Sequence, residues 1–170
     1  IKDCNIIGDW EYGIRLSNFG SNTPTWNNLV LKGVTMTSSS LSVGFQFLGV
    51  NAGSTQLQIY DSQFIGGGSL YLDRLTATIV DSTTKESIRS GIDVGQGATV
   101  TLVGHKSIGN VVGLQVSAST VRSFNSRFCD NSDLDLALGD SNTIIFAGTA
   151  CDDGEMVCNC PCSDDPLVPN

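Results

Sequence analysis

Gly91-Ile92-Asp93-Val94 and, one repeat later, Gly113-Leu114-Gln115-Val116 are two copies of one short pattern. A small or polar residue is followed by an apolar, a variable and a second apolar residue. Earlier copies are Gly13-Ile14-Arg15-Leu16, Gly44-Phe45-Gln46-Phe47 and Ser69-Leu70-Tyr71-Leu72, and a later one is Asp133-Leu134-Asp135-Leu136. The first two steps between copies are the longest, and the steps from Ser69 onward are nearly uniform. Each copy alternates as a half-buried strand does. Spacing of this kind marks a repeat architecture rather than a mosaic of unrelated elements.

A second strand-like run precedes each copy: Leu29-Val30-Leu31, Leu57-Gln58-Ile59, Ala77-Thr78-Ile79, Val100-Thr101-Leu102, Val121-Arg122-Ser123-Phe124 and Ile144-Ile145-Phe146. Polar turns leading to an apolar residue recur as well, at Asp3-Cys4-Asn5-Ile6, Asp61-Ser62-Gln63-Phe64, Gly104-His105-Lys106-Ser107-Ile108 and Asn125-Ser126-Arg127-Phe128. No segment holds a helical period for a useful length. Two or three short strands in each repeat describe one coil of a β-solenoid, which buries its apolar face only by stacking on its neighbours. Parallel strands ~4.8 Å apart would make seven coils a rod about 30 Å tall. Ile14, Phe45, Leu70, Ile92, Leu114 and Leu134 are expected to form an inward ladder. The alternation then places Arg15, Gln46, Tyr71, Asp93, Gln115 and Asp135 on one outer face.

These Gly-Ile-x-Leu strands and Asp/Asn-x-x-Ile/Phe turns resemble right-handed parallel β-helix proteins of the pectin-lyase-like superfamily, over roughly residues 1 to 150. The resemblance implies an all-β, right-handed parallel β-helix of about seven coils. It leaves activity open, because that superfamily includes polysaccharide lyases, glycoside hydrolases, epimerases, adhesins and tailspikes. Residues 1–150 are expected to be the β-helix, the C-terminal part of a longer solenoid, and residues 151–170 a Cys-rich acidic tail or cap. The chain begins inside the pattern, which points to stacking of the first coil on upstream coils or on another subunit.

Composition narrows the partners. The chain has 170 residues, 40% hydrophobic and 15% charged, and its formal charge of −8 argues against nucleic acid. No apolar run approaches the ~18 residues of a membrane span. Residues 128–170 hold nine acids and no Lys or Arg, so nearly all the net charge lies in the last quarter. Six cysteines, four of them at Cys151, Cys158, Cys160 and Cys162, suggest an oxidising, extracellular or cell-surface setting with disulfides in the tail. The Cys-x-x-Cys gaps of a zinc knuckle do not occur, so neither a metal nor a cofactor is expected. Direct pairing of Cys4 with Cys129 is geometrically disfavoured, since they fall in distant coils.

Candidate chemistry is sparse, and the reading leans away from an enzyme. Glycoside hydrolysis needs two carboxylates at a set separation, and Asp61 and Asp81 occupy equivalent turns of consecutive coils. Asp and Asn at such turns more commonly bond their own backbone. Asp93, Arg89 and Lys106 complete the set of weak catalytic candidates. The resemblance supplies further tests: the Asn-x-Asp, Gly-His-Gly and Arg-Ile-Lys segments of polygalacturonase-like sites do not occur, and Asp-Asp occurs only in the tail. The single histidine, His105, reads as an exposed turn residue. Trp10, Tyr12, Phe19 and Trp26 form the densest aromatic patch, beside the longer inserts, and suit contact with a sugar or a protein partner. An ice-binding solenoid would need a regular Thr-x-Thr array, and Thr35-Met36-Thr37 and Thr99-Val100-Thr101 are out of register. The expected function is an extracellular structural or adhesive element that presents a rigid surface to a polysaccharide or glycoprotein, within a larger assembly or filament. The alternative is a polysaccharide-active lyase, hydrolase or epimerase.

Overall fold

A computed structural model describes residues 1–8, 14–17, 27–39, 44–49 and 55–148. The short alternating runs pair into three parallel six-stranded sheets, and no helix occurs among the described residues. The first sheet holds Asn28–Lys32, Gln56–Tyr60, Thr76–Val80, Thr99–Val103, Thr120–Phe124 and Thr143–Ala147. The second holds Asn5–Gly8, Thr35–Ser38, Gln63–Gly66, Thr83–Lys85, Lys106–Ile108 and Arg127–Cys129. The third holds Ile14–Ser17, Phe45–Leu48, Leu70–Asp73, Ser90–Gly95, Val112–Val116 and Leu134–Leu138. The chain visits the sheets in that order on every turn, so each strand pairs with its counterpart one coil away. Among the described residues this is a β-solenoid six strands deep, against the seven coils read from the sequence. Residues 151–170 lie outside the described part, and so do Trp10, Tyr12, Phe19 and Trp26.

The core follows from the alternation. In the third sheet Phe45, Leu70, Ile92, Leu114 and Leu136 stack inward in one row, and Phe47, Leu72, Val94 and Val116 in the next, all essentially inaccessible. The first sheet contributes Leu57, Ala77, Val100 and Val121 beside Leu31, Ile59, Ile79 and Leu102. Phe64 meets Phe45 edge-on, with centroids 5.1 Å apart, the geometry that a ring quadrupole favours.

One expected register is corrected. Leu114 pairs with Leu136, not Leu134, so the last step of the third sheet equals the two steps before it. Ala137 therefore continues the outer row after Gln115, and Asp135 is 1% exposed rather than on the outer face. Leu-x-Leu occurs twice over in Leu134-Asp135-Leu136-Ala137-Leu138, and a slip by one full alternation leaves the pattern unchanged. Strand pairing alone chooses between the two.

The corner between the first and second sheets explains the recurrent turn. Asp3, Gly33, Asp61, Asp81, Gly104, Asn125 and Gly148 all take positive φ, between 46° and 62°. Each of the first six donates its N–H to the last strand carbonyl of the next coil, as Asp81 does to Val103 at 2.9 Å. Asp, Asn and Gly are the residues that tolerate this left-handed conformation. The next residue is half-buried at Cys4 and buried at Val34, Ser62, Ser82, His105 and Ser126. The Ser62 and Ser82 hydroxyls accept backbone N–H groups of the preceding coil at 3.2 and 3.1 Å while donating to a strand carbonyl of their own.

His105 is a correction of the exposed-turn reading, because it belongs to this inward column and is 0% exposed. Its Nε2 lies 3.2 Å from Thr84 Oγ1, and Nδ1 has no hydrogen-bond partner. Burial pushes its pKa down from 6.5 to about 3. The unfolded chain thus takes up a proton that the folded chain refuses, and folding stability falls as pH drops from about 6.5 towards 3. His105→Ser, which installs the residue found at this corner in neighbouring coils, is expected to flatten that slope. Urea denaturation at pH 7, 5.5 and 4.5 checks it; an unchanged slope would place the acid sensitivity elsewhere.

Candidate functional site

Outward residues of the third sheet form the row Arg15, Gln46, Tyr71, Asp93, Gln115 and Ala137. A cavity of about 200 Å³ opens on this face, lined by Gln46, Ser69, Tyr71, Arg89 and Asp93. The lining assembles because the strand period puts every second residue outward, while parallel stacking sets Gln46, Tyr71 and Asp93 side by side on three coils. Ser69 and Arg89 come from the segments entering two of those strands.

The floor is tied down by short polar links. Ser69 Oγ accepts the N–H of Ser90 at 3.1 Å, and Ser90 Oγ donates to Gln115 Oε1 at 2.9 Å. Gly95 sits beneath the phenol of Tyr71, where an added Cβ would lie 2.9 Å from the hydroxyl. The absent side chain makes space for that ring. Gln46 Oε1 has no hydrogen-bond partner.

Electrostatically the site sets a half-buried Asp93 and a buried Asp73 against an exposed Arg89 and a half-buried Arg74. Burial is the main cause that raises the Asp93 pKa to about 6; the Arg89 guanidinium pulls the other way, and Asp73 reinforces the rise. Asp73 is 5% exposed and pairs with Arg74 at 3.3 Å through Oδ2, whereas Oδ1 has no hydrogen-bond partner. Burial also raises the Tyr71 pKa, helped by Asp73 and Asp93 and opposed by Arg74. A carboxyl that titrates near neutrality beside a guanidinium and a phenol can exchange a proton or reorganise its hydrogen bonds with a ligand.

The weak catalytic candidates divide. Asp93 and Arg89 meet in the cavity. Asp61 and Asp81 stand exposed at the left-handed corner, where the Asp81 carboxylate leans over Gly104 of the next coil. Lys106 is exposed on the second sheet, between Thr83 and Arg127. The contributions of Ser69 and Gln46 to one cavity, and the placing of Asp73 behind Tyr71, were not evident from spacing. The only signal was that Gln46, Tyr71 and Asp93 share the variable position of the repeat.

A second polar cluster lies inside the solenoid, where the second and third sheets meet. Thr84 Oγ1 donates to Ser107 Oγ at 3.1 Å, Ser107 Oγ donates to the Gly113 carbonyl at 2.7 Å, and Asn110 Nδ2 donates to Ser107 Oγ at 3.0 Å. Asn131 Nδ2 donates to Asp135 Oδ1 at 2.6 Å. Gly91 makes room for this column, since a Cβ there would collide with Thr84, Ser107 and Asn110. The cluster is sealed from solvent and knits coils together.

The two threonine runs read from the sequence fall on different sheets, and a further run pairs with one of them. Thr76-Ala77-Thr78 pairs in register with Thr99-Val100-Thr101 on the first sheet, giving an array two coils deep. Gln56 and Gln58 bound it on one side and Thr120 and Arg122 on the other. Thr35 and Thr37 belong to the second sheet.

Cys4 is a free thiol and Cys129 is disulfide-bonded; Cys151, Cys158, Cys160 and Cys162 lie outside the described residues. Among the described residues no cluster of three or more His, Cys, Asp or Glu could hold a metal ion, and no helix is long and apolar enough to cross a membrane. Comparison with protein-family models, curated proteins and solved structures finds no match.

Protonated Asp93 is favoured in the fold, so the stability that it contributes is present at low pH and lost as pH rises through about 6. Asp93→Asn is therefore expected to stabilise the protein relative to wild type more at pH 7.5 than at pH 4.5. Paired denaturation curves check this, and a gain independent of pH would mean that the carboxyl is better solvated than its burial implies.

Proposed function

We propose that this protein is an extracellular structural or adhesive β-solenoid element that contacts carbohydrate through the outer face of its third sheet. The observation that carries this reading is the cavity lined by Gln46, Ser69, Tyr71, Arg89 and Asp93. It offers an aromatic face for a sugar ring together with charged and neutral hydrogen-bonding groups for hydroxyls, on a scaffold whose continuous ladders keep it preorganised. A long glycan chain lying across successive coils would meet Gln46, Tyr71, Asp93 and Gln115 at one strand spacing after another. The resemblance to pectin-lyase-like β-helices is compatible with this use. Disulfides in the Cys-rich tail and stacking on further coils or another subunit would suit an exported assembly.

A second reading, a polysaccharide-active enzyme, is favoured by one observation: Asp93 titrates near 6 while Asp73 sits close enough to raise it. A carboxyl raised towards neutrality with a second carboxyl nearby is an arrangement that acid–base cleavage of a glycosidic bond can use. Both readings are tested with the full chain and a panel of neutral and acidic polysaccharides, scored for retention and for new reducing or unsaturated ends. Retention without cleavage, reduced at least about tenfold by Tyr71→Ala, is the expected result. Cleavage abolished by Asp93→Asn would replace the structural reading with the enzymatic one.

A further inference from the structure

Asp93 is the one cavity-lining carboxyl among the described residues, and its environment under-serves it. Burial costs it more than the Arg89 guanidinium returns, as the upward shift of its pKa to about 6 requires. Tyr71 on one neighbouring strand and Gln115 on the other face it, Arg89 stands just before its strand, and Asp73 with its partner Arg74 lies diagonally behind Tyr71. Gln115 is occupied by the Ser90 hydroxyl. On the far side of Tyr71, Gln46 Oε1 also lacks a donor. The cavity thus has a half-buried carboxyl and an unpartnered amide oxygen, one on each side of a phenol ring, about two strand spacings apart. Among the described lining residues one guanidinium stands against one carboxylate, so these leave no net charge over for an ionic ligand.

We infer that the cavity selects a neutral sugar unit over uronate or amino sugars, with the ring on Tyr71, a hydroxyl donating to the Asp93 carboxylate and accepting from Arg89, and another hydroxyl donating to Gln46. This rests on the carbohydrate-contacting reading above. Hydroxyls suit the site because each both donates and accepts, which matches a mixed lining of Asp, Arg, Gln, Ser and Tyr. A uronate carboxylate would take Arg89 but face Asp93, and an ammonium would take Asp93 but face Arg89; either leaves one charge repelled and poorly solvated.

The sign of the pH dependence separates these ligands. A hydroxyl that donates to Asp93 favours its ionised form, so affinity for a neutral oligosaccharide rises between pH 5 and 7.5. The gain approaches tenfold, the change in ionised fraction of a group titrating near 6. A uronate that engages Arg89 is repelled by the same ionisation, and its affinity falls over that interval. The experiment is calorimetric titration of the full chain with a cello-oligosaccharide, an oligogalacturonide and a chitosan oligomer at both pH values, repeated with Asp93→Asn. The inference expects the neutral oligomer to bind tightest and to gain affinity with pH. It also expects Asp93→Asn to weaken that binding about tenfold or more at pH 7.5 and to remove the pH dependence. Tighter binding of the acidic or the amino oligomer overturns the inference and leaves the carbohydrate reading intact. Binding of none of the three, with the protein folded by circular dichroism, overturns the carbohydrate reading itself.

Discussion

A parallel backbone ladder at one strand spacing forces every inward side chain to rest on its own counterpart one coil away. All else in this protein is arranged to keep that stacking possible. A row such as Leu70, Ile92, Leu114 and Leu136 works because each member covers the next. A polar residue in such a row has to be matched by polar residues above and below, or its hydrogen bonds go unmade. The second sheet shows the rule in operation. Met36 and Phe64 give way to Thr84 and Ser107, and the exchange succeeds because Asn110, Asn131 and Asp135 supply partners from the adjoining corner.

Corners obey the same constraint. A turn that is repeated coil after coil must use the same backbone conformation each time, and a left-handed residue followed by a buried one accomplishes this. The hydroxyls of Ser62, Ser82 and Ser126 satisfy backbone groups that a bend would otherwise leave open. His105 occupies a place where its neighbours carry serine, and it is the member of that column whose charge state can disturb the stack. The candidate site sits on the opposite kind of surface. There the outward positions are free of packing demands, and Gln46, Tyr71 and Asp93 can differ in chemistry while sharing a register.

Much of the fold was legible because its period is short and repeated. The strands around Leu57, Ile79, Leu102 and Phe124, the turn role of Asp61 and Asp81, and the shared outer row could all be read from alternation and spacing. What failed did so for identifiable reasons. Leu134-Asp135-Leu136 admits two registers that look alike in pattern, and only pairing with Val112–Val116 decides between them; the burial of Asp135 comes from the adjoining corner, where its Oδ1 accepts from Asn131. His105, flanked by Gly104 and Lys106, has the local look of a surface turn, and its burial depends on which way the corner points. Thr76-Ala77-Thr78 was overlooked as the partner of Thr99-Val100-Thr101, because register between coils of unequal length is not a local property.

The sequence by itself determined that the chain builds a solenoid, where the strands of its first and third sheets fall and which face most of their side chains take, since these depend on periodicity along the chain. It determined the left-handed corners too, since Asp, Asn and Gly announce them. Tertiary structure alone decided which outward residues share a cavity, that Asp93 is desolvated against Arg89 with Asp73 nearby, and that His105 is sealed in the core. Those are properties of neighbours a full coil or more apart along the chain, and the surroundings that set a carboxyl's or an imidazole's charge exist only once the coils have stacked.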